Sequence, residues 1–223
     1  MIRPGEPWGE PTSAAPDVEV SGSDADLAAA VAAAPGALVR LQPDETNDLA
    51  RAVGLRAGVA APDGHLAVPV DALALDAPSI HTGMLACNMC VIGTAPDRLR
   101  WSTASSELEV LLDGKAWFAG PATTVVVANG QFLRGLDIVP RGHPGDGKIE
   151  VQVYELRRGD RRAMRSRLST GAHVPHPRIR SRTAGTVEVR AAGVLALEVD
   201  GETRPPVSGL RIRGVTAAFR LLL

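Results

Sequence analysis

The rhythm of hydrophobic and polar positions changes about a third of the way along the chain. Asp17–Val20 predicts a short strand, Ser21 to Asp24 a turn, and Leu27–Ala34 an alanine-rich helix stopped by Pro35-Gly36. Ala37–Leu41 predicts a second strand. Glu45–Val53 predicts a helix, with Leu49, Ala50 and Val53 on one face and Gly54 at its end. The order β-α-β-α is the beginning of a parallel α/β sheet. From Leu66 onward, short apolar runs recur with turn signals between them: 66–70, 84–92, 108–112, 116–119, 123–128, 149–154, 186–189, 194–199, 210–212 and 217–222. Asp113-Gly114 is a hairpin signal, and the spacing predicts an antiparallel sandwich or barrel-like unit. Asp160–Leu168, a predicted helix, is the exception. The expected organisation is an arm over residues 1–16, a truncated α/β nucleotide-type unit over 17–65, and a larger antiparallel β-sandwich over 66–223.

Composition agrees with this picture. Of 223 residues, 45% are hydrophobic and 22% charged, which excludes a disordered chain. Gly 23 and Pro 17 favour many turns and short strands over a helical bundle. With aromatics at 3%, stacking of bases on rings is excluded as the main mode of action. No apolar run is long enough for a transmembrane helix, and the N-terminus lacks the basic-then-apolar pattern of a signal peptide. Two cysteines build no disulfide framework, so a soluble cytoplasmic protein is expected. The net charge of −1 conceals an asymmetry. Residues 1–113 hold 6 basic and 16 acidic side chains, whereas residues 114–223 hold 18 and 9. The second half therefore suits an anionic surface or ligand.

Four segments could carry chemistry. Val-Ser-Gly-Ser-Asp-Ala-Asp-Leu (20–27) takes a strand through a small-residue turn into a helix, where free N–H groups and the macrodipole favour phosphate. An ordinary helix start, with Ser23 as N-cap and acids in the first turn, explains the same residues. Residues 43–55 start a second helix with acids at its head. Gly-Asp-Gly-Lys-Ile-Glu-Val (145–151) is a tight turn that can offer a carboxylate and carbonyls to a hard cation, or can be only a turn. Leu-Glu-Val-Asp-Gly-Glu (197–202) puts two carboxylates at a strand end, where catalytic acids often sit and where Asp-Gly also makes hairpins.

In this order, the four segments resemble the bacterial lipid kinases with a diacylglycerol kinase catalytic domain, relatives of the sphingosine and ceramide kinases. Val-Val-Val-Ala-Asn-Gly (125–130), Ile-Val-Pro (138–140), Asp-Gly-Lys-Ile-Glu-Val (146–151), Ser-Thr-Gly-Ala-His (169–173) and Val-Asp-Gly-Glu (199–202) follow the family order, and Asn-Met-Cys-Val-Ile-Gly (88–93) is similar to a family strand. The resemblance covers residues 18–223. It implies an α/β nucleotide domain and a C-terminal β-sandwich with the active site between them, transferring the γ-phosphate of ATP to a lipid hydroxyl with Mg2+. It implies Asp200 as the base that takes the hydroxyl proton, supported by Glu202. Gly22, Ser23, Asp24, Thr46, Asn47 and Asp48 would meet the nucleotide. Asp24, Asp48 and Asp71 would help hold the catalytic metal. Asp146, with carbonyls near His143 and Lys148, would match a structural Mg2+ site.

The departures from the family are as informative. Gly22-Ser23-Asp24-Ala25-Asp26 stands where the family has Gly-Gly-Asp-Gly-Thr, and Asp44-Glu45-Thr46-Asn47-Asp48 where it has Gly-Thr-x-Asn-Asp. Asp26, Asp44 and Glu45 thus put carboxylates where phosphates should lie. Like charges ~4 Å apart at an effective dielectric of ~20 cost roughly 4 kcal/mol. The family's opening strands also have no counterpart here. The expectation is a lipid kinase homologue of impaired activity, with a non-catalytic pseudokinase that binds a lipid or a partner as the alternative. Cys87 and Cys90 have the spacing of a redox or zinc pair, but in a strand they point to opposite faces and read as buried. His173 and His176 read as loop histidines. Nine arginines between 157 and 182 face one acid, Asp160. Arg158, Arg161, Arg162 and Arg165 share a helix face, suited to a peripheral anionic membrane surface or simply to solvent. No nucleic-acid motif is present, and a homo-oligomer is compatible with the sequence but not specified by it.

Overall fold

The computed structural model describes residues 8–58 and 66–223. Residues 1–7 of the expected arm, and 59–65 at the end of the expected α/β unit, lie outside the described residues. Strand β1 (Glu10–Pro11) is followed by β2 (Val18–Gly22), α1 (Asp24–Ala33), β3 (Leu38–Pro43) and α2 (Asp48–Ala52). β2 and β3 are parallel, with Val20 opposite Leu41, as a crossover helix requires. α1 begins one turn earlier than its apolar pattern, because Ser23 and Asp26 form a capping box. α2 is shorter than predicted: Asn47 accepts from Ala50 N and starts the helix only there.

Twelve strands then build the antiparallel part. β4 (Leu66–Asp76), β5 (Leu85–Ala86) and β6 (Met89–Gly93) precede the hairpin of β7 (Ser106–Leu112) and β8 (Lys115–Ala122). Next come β9 (Thr124–Ala128) and the small hairpin of β10 (Phe132–Leu133) and β11 (Leu136–Asp137). β12 (Ile149–Tyr154) leads to α3 (Asp160–Arg165) and β13 (Ile179–Ala184). Two long strands close the chain, β14 (Thr186–Val199) and β15 (Glu202–Leu222). The main path runs β1-β4-β15-β14-β6-β9-β12-β13, with β7 attached to β14 and β8 to β7. The last turns of β15 also pair in parallel with β3, so the N-terminal strands join the same hydrogen-bonded sheet.

Three sequence expectations are corrected. The run 84–92 is two strands, because Asn88 leaves the ladder between β5 and β6. The runs 186–189 and 194–199 belong to one bent strand: β14 pairs with β7 up to Ala191 and with β6 from Leu197, with register shifts between. A strand that bends in this way carries the sheet around a corner and lets it fold over its own core. The runs 210–212 and 217–222 are likewise one strand, with an irregularity between Val215 and Phe219.

Apolar faces collect into three main clusters. The sandwich core includes Leu73, Cys90, Ile92, Val110, Val127, Val151, Val187, Val199 and Ile212. A second cluster unites Leu27, Val31, Leu41, Leu49, Val70, Cys87 and Phe219 under α1 and α2. A third lies under α3 and includes Tyr154, Met164 and Leu168. Cys87, in the break between β5 and β6, and Cys90, in β6, are both free and buried and face different clusters. Among the described residues, no helix is long and apolar enough to cross a membrane. Phe219 is fully buried where β15 meets the N-terminal unit. Phe219→Ala is therefore expected to lower the unfolding free energy by about 3–5 kcal/mol, measured by chemical denaturation.

Candidate functional site

The site is built where the heads of α1 and α2 meet the turns of the sandwich. Asp24, the first residue of α1, reaches the head of α2. Its Oδ1 accepts from Leu49 N at 2.9 Å and its Oδ2 from Asp48 N at 3.2 Å. Together with Asn47, which caps Ala50 N, it satisfies the free N–H groups of the first turn of α2. Asp24 Oδ2 also accepts from Asn88 Nδ2 at 2.8 Å, and the same amide group donates to Phe132 O. The break at Asn88 that separates β5 from β6 thus supplies the donor that ties α1 to the sandwich.

Asp48 makes the next connection. Its carboxylate accepts the backbone N–H groups of both Arg134 and Gly135, the two-residue turn between β10 and β11. Both turn residues have positive φ, 52° and 72°, as a type I′ hairpin requires. The Arg134 guanidinium pairs with Asp97 at 2.6 Å and with Glu198, while Glu198 also meets Arg98 at 3.3 Å. Asp200 occupies another such turn, at φ 51° with Gly201 at 81°, between β14 and β15. Its Oδ1 accepts from Asn88 N and Met89 N, and its Oδ2 from Cys87 N at 2.8 Å.

These residues line one cavity of about 540 Å³, bounded by Ser23, Asp24, Thr46, Asp48, Asp200 and Glu202, with Glu45, Arg51 and Arg134 at its walls. The structure therefore brings together both expected catalytic residues and four of the six expected nucleotide contacts. Gly22 and Asn47 stand behind the rim, joined by the bond from Asn47 Nδ2 to Gly22 O. Asp71 does not line the cavity. Its carboxylate accepts from Gly147 N at 2.7 Å and Ala217 N at 2.8 Å, which holds the Gly147 turn against the irregularity in β15. There it neighbours Asp146, whose Oδ1 accepts from Lys148 N, and His143, whose ring packs edge-on to Trp8. Among the described residues, no group of three or more His, Cys, Asp or Glu side chains is placed to hold one metal ion.

Burial sets the electrostatics. Asp24 is pushed well above the usual carboxylate range by burial, then by the neighbouring Asp200 charge. Burial pushes Asp200 up to about 6, even though three backbone N–H groups favour its charged form. Asp48 and Asp71 are raised by burial too. Asp26 goes the other way. Its carboxylate folds back to accept from Ser23 N and Ser23 Oγ, at 2.9 and 2.7 Å, and these bonds lower its pKa. Asp44 likewise accepts from Thr46 N at 2.8 Å and Thr46 Oγ1 at 2.6 Å. The two loops expected to hold phosphate therefore already carry an anion of their own.

Sequence reasoning missed Arg134, Gly135 and Asn88 as site residues. Arg-Gly between Leu133 and Leu136 was a readable turn signal, since Gly favours the second position of a two-residue hairpin. Asn88 had no local signal, because its partners are 64 and 44 residues away. His173, expected in a loop, is buried beside Tyr154, with Nε2 3.1 Å from Ile138 O.

The family described as the YegS C-terminal NAD kinase beta sandwich-like domain matches residues 92–222. The fold is similar to a crystal structure of a diacylglycerol kinase from Bacillus anthracis str. Sterne, with a TM-score of 0.69 at 16% identity, covering 92% of this chain and 76% of that one. Two further structures from that organism superimpose with TM-scores of 0.71 and 0.73. Yeast NADH kinase complexed with NADH is more distant, with a TM-score of 0.51 at 9% identity, covering 92% of this chain and 60% of that one. At these identities the likenesses show the fold. No curated protein sequence matches the chain.

A carboxylate raised in the folded state stabilises the fold below its unfolded pKa and loses that contribution as pH rises through the folded value. For Asp200 the window runs from the usual 3.8 to about 6. Wild type should therefore lose up to about 3 kcal/mol relative to Asp200→Asn between pH 4 and 7, from two shifted units at 1.36 kcal/mol each. Denaturation across this range checks it, and parallel pH profiles for the two proteins would contradict it.

Proposed function

The chain belongs to the family of YegS C-terminal NAD kinase beta sandwich-like domains, and from that membership we propose that its cavity is a phosphoryl-transfer site of the diacylglycerol kinase type. The acceptor is a lipid hydroxyl, and nucleotide binding is weakened by the protein's own carboxylates. One observation carries the reading: Asp24, Asp48, Asp200 and Glu202 converge with Ser23 and Thr46 on a single cavity, although they come from both ends of the chain.

Asp200 has the properties of a general base. A carboxylate offers about four lone-pair sites, and three of them are taken by backbone N–H groups, two on Oδ1 and one on Oδ2. The remaining site on Oδ2 can accept the hydroxyl proton. With a pKa near 6, the group is ionised at neutral pH and still basic enough to work. The hydroxyl oxygen then attacks the γ-phosphorus of ATP and ADP departs. Glu202, two residues along at the cavity wall, pairs with Arg204 at 2.6 Å, and Arg204 in turn favours the charged form of Asp200. Arg51, which meets Asp48 only at 3.6 Å, can turn to phosphate charge at the cavity, whereas the Arg134 guanidinium is taken by Asp97 and Glu198.

The donor set at this cavity is all oxygen, which fits a hard divalent cation such as Mg2+. Asp24 and Asp48 retain lone pairs for it. Bound there, the cation would neutralise phosphate charge in the transferring group. The Asp146 carboxylate and neighbouring carbonyls offer similar donors for a structural ion at the 143–148 turn.

Weak nucleotide binding follows from occupied donors. Asp26 already takes the N–H and hydroxyl of Ser23, and Asp44 those of Thr46, so a phosphate must displace an anion rather than fill an empty cradle. MgATP should therefore bind weakly to wild type in calorimetry, and the double change Asp26→Thr with Glu45→Thr should bind at least about tenfold tighter. Unchanged affinity would show that charge is not the obstacle. In that relieved background, Asp200→Asn should keep nucleotide binding and cut transfer of labelled phosphate to diacylglycerol by at least about 100-fold, the scale of a lost general base. Transfer unaffected by Asp200→Asn would remove Asp200 from the reaction.

A further inference from the structure

Trp101 is at odds with the rest of the surface. Its side chain is 66% exposed, although it is one of three tryptophans in the chain. The loop that carries it, between β6 and β7, is held at both ends. Arg161 of α3, itself buried, donates from Nη1 to the carbonyls of Arg100, Trp101 and Thr103 at 2.8, 3.2 and 2.7 Å. Asp97, in the same loop, forms a two-pronged pair with Arg134 at the cavity wall, at 2.6 and 2.9 Å. A fixed loop thus presents an indole to solvent.

The setting is cationic. Arg100 lies next to Trp101, and α3 and its flanks carry Arg157, Arg158, Arg162, Arg165 and Arg167, all exposed. None of the six enters an ion pair among the described residues. Asp160 is the only acid between 157 and 167. An indole has an apolar body and a polar N–H, which suits the headgroup level of a bilayer. Each basic residue near an anionic leaflet contributes roughly 1 kcal/mol of attraction.

We propose that the Trp101 loop and the arginine flank of α3 form one docking surface for an anionic lipid bilayer, with Trp101 as the interfacial anchor. A single exposed ring offers no track for successive bases, so the same cations suit lipid better than single-stranded nucleic acid. Through Asp97 the loop is tied to Arg134, a residue of the cavity wall. Docking does not depend on phosphoryl transfer, so a protein with an inert cavity still docks.

The test uses the full chain with phosphatidylglycerol vesicles and phosphatidylcholine vesicles, read by co-sedimentation and by tryptophan emission. At low salt, phosphatidylglycerol alone should bind the protein and shift its emission to the blue. Binding should fade toward 1 M salt, where the Debye length is ~3 Å. Trp101→Ala should abolish the shift and weaken binding roughly tenfold, the scale of one aromatic anchor. Arg158→Glu with Arg162→Glu and Arg165→Glu should weaken it by at least about 100-fold. All four positions are exposed, so melting temperatures should stay close to wild type. Equal binding to both vesicles, or full binding by Trp101→Ala, would overturn the proposal. So would a single-stranded oligonucleotide that displaces the protein from vesicles at equal charge concentration. Asp200→Asn should dock as wild type does, which separates this surface from the chemistry of the cavity.

Discussion

Buried carboxylates that accept backbone N–H groups are the interaction on which the rest of the structure depends. Asp24 joins the head of α1 to the head of α2, and Asp48 joins α2 to the β10–β11 turn. Asp71 joins β4 to the Gly147 turn and to β15, and Asp200 joins the last hairpin to the break between β5 and β6. Each bond links segments far apart in sequence. Apolar packing supplies most of the stabilisation but is not directional. The carboxylates fix how the N-terminal strands sit on the sandwich, because an N–H left without an acceptor inside this interface would cost about 1–3 kcal/mol.

The same arrangement constrains the chemistry. A carboxylate engaged by two or three N–H groups is held in one orientation, which a catalytic base or metal ligand needs. It also has fewer lone pairs left to offer. Asp200 keeps one free site, and burial raises its pKa enough for that site to be basic. Asp26 and Asp44 show the other outcome. Each folds back on its own loop and meets the donors that a phosphate would otherwise use. A loop that has satisfied its own donors in this way is more stable and offers fewer of them to any anion.

How much of this was legible depended on the range of the signal. The β-α-β-α opening was readable because Pro35-Gly36 and Gly54 end its helices. The β7–β8 hairpin was readable because Asp113-Gly114 fits a two-residue turn, and both residues do have positive φ, 50° and 76°. The bend in β14 was not readable, since it depends on β7 and β6 taking different lengths of one strand. The acids at 24, 48, 200 and 202 could be named from their order along the chain, but local pattern could not show them meeting. At Ser23-x-x-Asp26 the reading of an ordinary helix start, with Ser23 as N-cap, is the one the structure shows. The spacing is that of a capping box, so the Asp26 carboxylate turns back to Ser23 instead of projecting toward a ligand.

The uneven distribution of charge along the chain acquires a spatial meaning. The acidic first half supplies Asp24, Glu45 and Asp48 to the cavity, where two arginines offset only part of the charge. The basic second half supplies the unpaired arginines of α3, on the far side of the Asp97–Arg134 pair. Arg134 stands between the two regions. Its backbone N–H binds Asp48 inside, while its guanidinium binds Asp97 and Glu198 outside. A charge that pulled on the Asp97 loop would therefore act on the turn that holds Asp48. Arg134 sits in a left-handed conformation that a β-carbon disfavours, and the bonds to Asp48, Asp97 and Glu198 help to hold it there. The loop that carries Trp101 and the cavity thus meet at one residue, Arg134.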